Sequence, residues 1–395
     1  MIRNIAFIHC DFPAGGAERI TVDLGGALAE KGAGYRIFAL TKCVHEDKVT
    51  DSMAKAVTIV QMPSEDDGYY QYLANVVADK HIDVVVQVGH HDEKGMRIAR
   101  QNGCTTVCCA YHGKPFWEEE AIISDVSGRS SHDSVKLIQW MLFRRFKYVI
   151  LGKAKREASR RVRQLYDGCD KFIVLCDSYK QSIVKRLKLS EKDNKIVVIE
   201  NSERPVKEVC LNKRKQFLYA GRLSYFDKRV DRLLKIWKRV YRKLPEWELV
   251  IAGDGLERTN LECMARRLRL GNYQFIGWRN DTSECFKEAS VLCMTSSVEG
   301  WPLALTEAQA NGVVPVAFDV SGGIEAILSP SGQNGFLIRP FDIKKYADTL
   351  LRIANMDALE LNRLRHNVIE KAKEYSPDKT VVKWLDLFDG LVYEK

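Results

Sequence analysis

Short apolar runs alternate with amphipathic stretches along most of the chain. Runs of four to seven residues begin at positions 4, 35, 57, 83, 105, 171 and 196, and residues 17–31 have helical periodicity. After polar stretches at 200–205 and 212–215 the alternation restarts, with apolar runs at 217–220, 248–252, 274–276, 290–295 and 313–318. Helical patterns cover 230–241, 257–268, 282–289, 303–311 and 344–355. This alternation predicts an α/β protein with two parallel sheets, each covered by helices on both faces.

The polar stretch near residue 203 divides the chain into two halves. We predict a first Rossmann-like, doubly wound domain at residues 1–203 and a second at 204–375. Helical patterns at 357–374 and 380–392 add no strand, and residues 376–395 are predicted to cross back onto the first domain. Ligands of doubly wound sheets bind beyond the carboxyl ends of the strands, which predicts a site in a cleft between the two domains.

Composition is that of an ordinary globular protein. Hydrophobic residues make up 46% of the 395 positions, and no stretch approaches the length of a transmembrane helix. The N-terminus is predicted to be a first strand and not a signal peptide. The eleven cysteines have irregular spacing and form no Cys-x-x-Cys motif, which favours buried thiols in a reducing compartment. The expected location is therefore the cytoplasm.

The net charge of +9 equals the excess of basic residues in the segment 134–165. Apolar and aromatic residues in this segment intermix with Arg144, Arg145 and Lys147, as in helices that lie on an anionic membrane. A helix with a solvated basic face and apolar residues in the core is the alternative. RNA binding is disfavoured because stacking motifs are absent. We predict a peripheral membrane contact and no nucleic-acid partner.

The most informative motif lies at residues 295–312. A buried strand is followed by Glu299, Gly300 and Pro302, then by a helix that contains Glu307 and is ended by Gly312. The first amides of such a helix can bind a diphosphate, and the glycine allows a ligand to approach the backbone. Two carboxylates about 12 Å apart or less can then bind the sugar hydroxyls at each end of a nucleotide sugar.

This stretch resembles the Glu-x7-Glu motif of retaining GT-B glycosyltransferases, especially glycosyltransferase family 4. The resemblance implies that Glu299 contacts the transferred sugar and Glu307 the ribose. It also implies that Gly300, Trp301, Pro302 and Leu303 line the donor site. The expected fold is therefore GT-B, and the expected reaction moves a sugar from a nucleotide-diphosphate donor, with a UDP-sugar favoured, to a glycan or lipid-linked acceptor. The family acts in the synthesis of polysaccharide, lipopolysaccharide and glycoprotein glycans.

Two cations follow the first strand of the second half. Arg222 and Lys228 can neutralise a departing diphosphate, and the resemblance assigns them to the family's Gly-Arg-Leu…Lys-Gly pattern. Arg229 stands where that pattern has glycine. Gly253 and Gly277, which follow the next two strands, are assigned to the same donor site.

The first half contributes a glycine pair and a histidine. Gly15 and Gly16 open the first helix in a Gly-Gly-Ala-Glu-Arg sequence that the family shares, and we assign both to the donor site because their backbone amides can face a ligand. A tight turn that needs glycine explains either one equally well. His112 follows an apolar strand, and the resemblance places it near the sugar or the acceptor. We therefore predict four catalytic residues: Glu299, His112, Arg222 and Lys228.

No metal and no cofactor are expected. The chain has no Asp-x-Asp, the carboxylate pair that usually holds a diphosphate through a metal, and adjacent His90 and His91 point apart. Three alternatives stay open: a nucleotide-sugar 2-epimerase, a phosphorylase of the same fold, and a non-catalytic subunit that binds a nucleotide sugar. A dehydrogenase is disfavoured, because no dinucleotide fingerprint follows the first strand.

Overall fold

A computed structural model describes residues 3–13, 16–32, 34–46, 49–63, 66–89, 92–123, 146–279 and 281–393. The chain divides into two compact units. Unit 1 comprises Met1–Ser202 and Pro377–Lys395, and unit 2 comprises Glu203–Ser376.

Unit 1 is built on a seven-stranded sheet, all of whose neighbouring strands are parallel, in the order β3-β2-β1-β4-β5-β6-β7. Its strands are β1 Asn4–Phe12, β2 Arg36–Val44, β3 Thr58–Gln61, β4 Val84–Val88, β5 Thr106–Ala110, β6 Lys171–Val174 and β7 Ile196–Val198. Strands β4 and β5 are buried at every position, as expected of parallel strands covered on both faces.

Helices connect these strands. They are α1 Gly16–Glu30, α2 Asp51–Ala56, α3 Asp66–Asp79, α4 Glu93–Gln101, α5 Lys153–Gly168 and α6 Asp177–Leu187. Helix α4 begins at its N-cap Asp92, which accepts a hydrogen bond from the Gly95 amide and so satisfies one of the first-turn donors. A π-helical turn, Phe146–Ile150, precedes α5.

Unit 2 has a six-stranded parallel sheet in the order β10-β9-β8-β11-β12-β13. Its strands are β8 Gln216–Ala220, β9 Glu248–Ala252, β10 Tyr273–Gly277, β11 Val291–Met294, β12 Val314–Phe318 and β13 Phe336–Ile338. Its helices are α7 Val230–Val240, α8 Arg258–Arg267, α9 Ser283–Glu288, α10 Leu303–Ala310, α11 Gly322–Leu328, α12 Ile343–Ala354 and α13 Ala358–Ala372.

The last helix, α14 (Pro377–Tyr393), returns to unit 1 and packs on α1. Val381, Trp384, Phe388 and Leu391 recur at helical spacing and are buried in the core that also contains Phe7. The rings of Trp384 and Phe7 meet edge to face at 5.6 Å.

Two predicted strands are longer in the structure, and one short strand is absent from the predictions. Strands β1 and β2 run on to Phe12 and Val44, beyond the predicted ends at residues 10 and 40. Asp11, Lys42 and Cys43 in these extensions are exposed, whereas Phe12 and Thr41 are buried. The extended conformation therefore follows from pairing between the two strands and not from burial alone. Strand β13 has only three residues, too few for a periodicity to identify it.

Candidate active site

Glu299 is the central carboxylate of the unit 2 site. It follows the buried end of β11, where Thr295 and Ser296 are also enclosed, and only 8% of its surface is exposed. One carboxylate oxygen accepts hydrogen bonds from Lys228 Nζ at 2.7 Å and from Ser296 Oγ at 2.6 Å. A buried charge is costly without such partners. These contacts therefore hold the carboxylate in one position.

Lys228 and Arg222 lie on the loop that follows β8. The Asp227 carbonyl accepts from the Ser297 amide at 2.7 Å, which ties this loop to the segment before Glu299. Asp227 also pairs with Arg222 at 2.9 Å, and the Arg222 side chain remains 68% exposed. Burial would raise the pKa of Asp227, but hydrogen bonds from Ser224 and Arg222 and the nearby Lys228 charge keep that pKa below its ordinary value. The loop thus places the Lys228 ammonium against Glu299, while the Arg222 guanidinium pairs with Asp227.

Arg229, which replaces the glycine usual in the family pattern, has a left-handed backbone with φ of 52° and ψ of 47°. Glycine adopts this conformation without steric cost, whereas arginine does not. The guanidinium of Arg229 binds both carboxylate oxygens of Asp231, at 2.9 and 3.1 Å, and lies over the Tyr225 ring. These contacts offset the conformational cost, so the loop keeps its shape without the glycine.

The turn that follows Glu299 leads directly into helix α10. Pro302 is the N-cap residue of this helix; it provides no side-chain cap, and α10 begins at Leu303. Trp301 is buried, and its ring meets that of Tyr375 edge to face at 5.0 Å. The indole therefore anchors the turn by packing. Glu307 lies half-buried within α10, more than one turn after Leu303.

The backbone geometry at two predicted donor-site positions, 253 and 277, favours glycine. Gly253 has φ of 144°, and a Cβ added there would lie 1.9 Å from the carbonyl oxygen of Gly221. Its amide donates to the carbonyl oxygen of Gly277, whose own φ is 74°. The ends of β8, β9 and β10 therefore approach so closely that only glycine fits at position 253.

In unit 1, His112 follows β5 at the carboxyl edge of the sheet. Its Nδ1 is buried and has no hydrogen-bond partner among the described residues. Burial lowers the pKa of His112 to about 4, so the ring is neutral at physiological pH. A neutral imidazole with an unused nitrogen can bind a substrate hydroxyl. Gly16 is the first residue of α1, and Gly15 lies outside the described residues.

His9 is a buried polar residue that the motif analysis missed. Its Nε2 lies 3.0 Å from the Thr21 hydroxyl of α1, and its Nδ1 lies 3.8 Å from Glu18. Burial, and secondly the proximity of His112, lower the pKa of His9 to about 3. The sequence signal was a histidine inside an apolar strand, which does not reveal its partners. His9 and His112 are thus two neutral imidazoles that lie near each other in unit 1.

Some predicted site residues lie outside the described part of the chain. Arg144 and Arg145 of the basic segment belong to this group, and so do His90 and His91. Lys147 lies in the exposed π-helical turn. Among the described residues, one group of side chains could hold a metal ion: Asp11, Cys43 and His45, all in unit 1. No described helix has the length and apolar character needed to cross a bilayer.

Comparison with protein families identifies the unit that carries Glu299 and Lys228. Residues 200–375 match the family described as glycosyl transferases group 1. This matched stretch includes nearly all of unit 2. The predicted motifs at Arg222, Lys228 and Glu299 all lie within it.

Curated relatives match about half of the chain, and solved structures match nearly all of it. An uncharacterized glycosyltransferase of Haemophilus influenzae is 30% identical over 219 residues, which are 55% of this chain and 60% of the relative. The amylovoran biosynthesis glycosyltransferase AmsD of Erwinia amylovora is 30% identical over 196 residues, 48% of this chain and 52% of that protein. The chain therefore spans less than two thirds of these curated relatives.

The solved structure of Anabaena Alr3699/HepE in complex with UDP-glucose is similar in fold, with a TM-score of 0.73 and 14% sequence identity. The alignment covers 98% of this chain and 99% of the HepE chain. At this identity the likeness concerns the fold alone. The predicted fold class, two parallel-sheet α/β domains of the GT-B type with a C-terminal helix, is confirmed.

Proposed function

We propose that this protein is a glycosyltransferase that moves a sugar from a nucleotide-diphosphate sugar to a glycan or lipid-linked glycan. The observation that carries the proposal is the Lys228–Glu299 pair at the carboxyl ends of the unit 2 strands, within the residues that match the glycosyl transferases group 1 family. The family resemblance suggests a role in the synthesis of polysaccharide, lipopolysaccharide or glycoprotein glycans, and the likeness to a glycosyltransferase of amylovoran biosynthesis is consistent with it. The likeness to a fold that binds UDP-glucose supports a UDP-sugar donor.

The donor lies across the turn between Glu299 and α10. Glu307 binds the ribose, the first amides of α10 bind the diphosphate, and Glu299 binds the transferred sugar. Lys228 and Arg222 neutralise the diphosphate from the β8 side. The charges needed for this binding come from the protein itself, so the reaction requires no metal ion.

The reaction retains the anomeric configuration. The acceptor hydroxyl attacks the anomeric carbon on the face from which the diphosphate departs. The new carbon–oxygen bond forms as the bond to the phosphate oxygen breaks, and the acceptor proton passes to that phosphate oxygen. Glu299 stabilises positive charge at the anomeric carbon, while Lys228 and Arg222 stabilise the negative charge on the leaving group. His112 orients a hydroxyl through its neutral ring.

Donor screening tests this function directly. The purified chain is incubated with UDP- and GDP-sugars, and its melting temperature is measured with and without EDTA. A donor at 100 times its dissociation constant adds about 2.7 kcal/mol to the free energy of unfolding. The stabilising donor is then offered with glycan and lipid-linked acceptors, and the product is analysed for its anomeric configuration.

Several results would contradict the proposal. Transfer that stops with EDTA and returns with Mg²⁺ or Mn²⁺ would refute the metal-independent mechanism. An inverted product would refute the retaining one. Donor binding without transfer or hydrolysis would indicate a non-catalytic subunit, and a requirement for pyridoxal phosphate would indicate a phosphorylase.

We propose in addition that the π-helical turn contacts an anionic membrane. Phe146, Val149, Ile150 and Leu151 are exposed by 49%, 44%, 69% and 52%. Exposed Lys147 lies within the same turn, and exposed Lys155 and Arg156 follow in α5. Apolar side chains can enter the interface while each nearby cation adds about 1 kcal/mol on an anionic surface.

Liposome co-sedimentation tests the membrane contact. We expect binding to vesicles with anionic lipid, weaker binding to neutral vesicles, and loss of binding in an Ile150→Ser variant. Leu359→Ser is the matched control, because Leu359 is 83% exposed but lies in unit 2 on α13. Equal sedimentation of Ile150→Ser and the unaltered protein would contradict the proposed contact.

A further inference from the structure

Strands β1 and β2 bring three metal-binding side chains together where the two strands end. Asp11 of β1 lies opposite Cys43 of β2 in the parallel register. Beyond that pair, the amide of His45 donates to the carbonyl oxygen of Phe12 at 2.8 Å, which keeps the two chains side by side. The backbone therefore fixes the spacing of Asp11, Cys43 and His45.

The ligand atoms of these side chains all lie within 4.8 Å of one another. Asp11 and Cys43 are exposed and His45 is half-buried. Within the described part of the chain, no hydrogen bond or ion pair engages any of the three side chains. A carboxylate, a thiol and an imidazole thus lie adjacent without other partners in this part of the chain.

The combination of sulfur, nitrogen and oxygen ligands selects among metals. Magnesium and calcium prefer oxygen ligands alone, whereas zinc binds thiolate, imidazole and carboxylate at about 2.0–2.3 Å. Tetrahedral geometry at those lengths places neighbouring ligand atoms about 3.5 Å apart. The present limit of 4.8 Å exceeds that distance by about 1.3 Å, so metal binding requires side-chain rotations that close this gap. Water completes the fourth position.

We propose that Asp11, Cys43 and His45 form a zinc-binding site. On binding, the Cys43 thiol loses its proton to solvent and the ion joins the ends of β1 and β2. All three residues belong to unit 1, whereas Glu299, Lys228 and Arg222 belong to unit 2. The proposed ion therefore stabilises unit 1 by joining two of its strands.

Metal titration of the full chain tests the site. Protein freed of metal by chelation is titrated with Zn²⁺ in competition with a chromophoric chelator, and separately with Co²⁺. We expect one tight site. The Co²⁺ form should show a thiolate-to-metal charge-transfer band and the visible bands of a tetrahedral ion, and Zn²⁺ should raise the melting temperature.

Variants identify the ligands. Cys43→Ser should abolish the charge-transfer band, and Asp11→Asn and His45→Ala should each weaken zinc binding at least about tenfold. Cys263→Ser is the matched control, since Cys263 is an exposed cysteine in unit 2. Cys10→Ser is a second control, since Cys10 is exposed beside Asp11 but is not one of the three ligands.

The proposal fails if the unaltered protein binds no zinc, if Cys43→Ser keeps the charge-transfer band, or if Cys10→Ser removes it. These readouts need no sugar donor. Failure of the zinc site is therefore separable from failure of the proposed transferase activity.

Discussion

Removal of the Lys228 charge should reduce both stability and turnover, by amounts that can be estimated from the site. Lys228 Nζ lies 2.7 Å from a Glu299 oxygen, and the two side chains are 24% and 8% exposed. Lys228→Met keeps most of the side-chain volume and leaves the buried carboxylate without its ammonium partner. Loss of a fully buried partner costs about 3–5 kcal/mol. Because Lys228 is partly exposed and Ser296 still donates to Glu299, we expect about 1–3 kcal/mol of destabilisation.

The cost of Glu299→Gln should be smaller, since the neutral amide needs no counter-charge and Lys228 can reach water. The destabilisation of the double variant should be smaller than the sum of the two single destabilisations by about 0.5–3 kcal/mol, because both changes remove the same contact. Chemical denaturation of the four proteins measures this coupling. Lys287→Met is the matched control: Lys287 and its partner Glu284 are 57% and 75% exposed, so that change should be nearly neutral.

Turnover is the second readout of these variants. Lys228→Met and Glu299→Gln should each reduce kcat by about 10²–10³-fold, the usual effect of losing one group that stabilises transition-state charge. A destabilised Lys228→Met enzyme with normal kcat would assign Lys228 a purely structural role. Normal stability and normal kcat together would refute the reasoning from the ion pair altogether.

Three further predictions concern stability. Phe388→Ala should reduce the free energy of unfolding by about 3–5 kcal/mol in denaturant titrations, because Phe388 is fully buried, whereas Val382→Ala on the exposed side of the same helix should cost little. Gly253→Ala should cost about 3 kcal/mol or more, because its Cβ would lie 1.9 Å from a backbone oxygen; Gly390→Ala, which meets nothing within 4 Å, should be neutral or slightly stabilising. The lowered pKa of His9, about 3 against 6.5 for an unfolded histidine, means that acid favours the unfolded state. The contribution of neutral His9 to the free energy of unfolding should therefore be fully present above pH 6.5 and be lost as the pH falls toward 3. His9→Gln should reduce the slope of the unfolding free energy against pH over that range.

The sequence predicted the fold well because its strands are apolar and fully enclosed. The runs around Val86 and Cys108 are buried throughout, and their alternation with helices permits few arrangements other than two parallel sheets. The unit 2 motifs were also visible, since a glutamate, a glycine and a proline stand in fixed order around one helix start.

Features that depend on backbone geometry or distant partners were not predictable. The left-handed conformation of Arg229 was not predicted, because the sequence does not show that Asp231 and Tyr225, two residues after it and four before it, hold its guanidinium. The Asp11–Cys43 pairing was missed because the charged residues Asp11 and Lys42 interrupt the apolar pattern at the ends of β1 and β2. Both cases reflect pairing and packing that override local residue preference.

The interruption of unit 1 by unit 2 has a consequence for synthesis on the ribosome. Unit 2 can fold as soon as residues 203–376 have emerged, but unit 1 must wait for residues 377–391. Until then the surface of α1 and the Phe7 side chain that later contact α14 lack that cover. Nascent chains arrested before Trp384 should therefore be the species that chaperones retain, and the translation rate of the final segment should affect the yield of native protein.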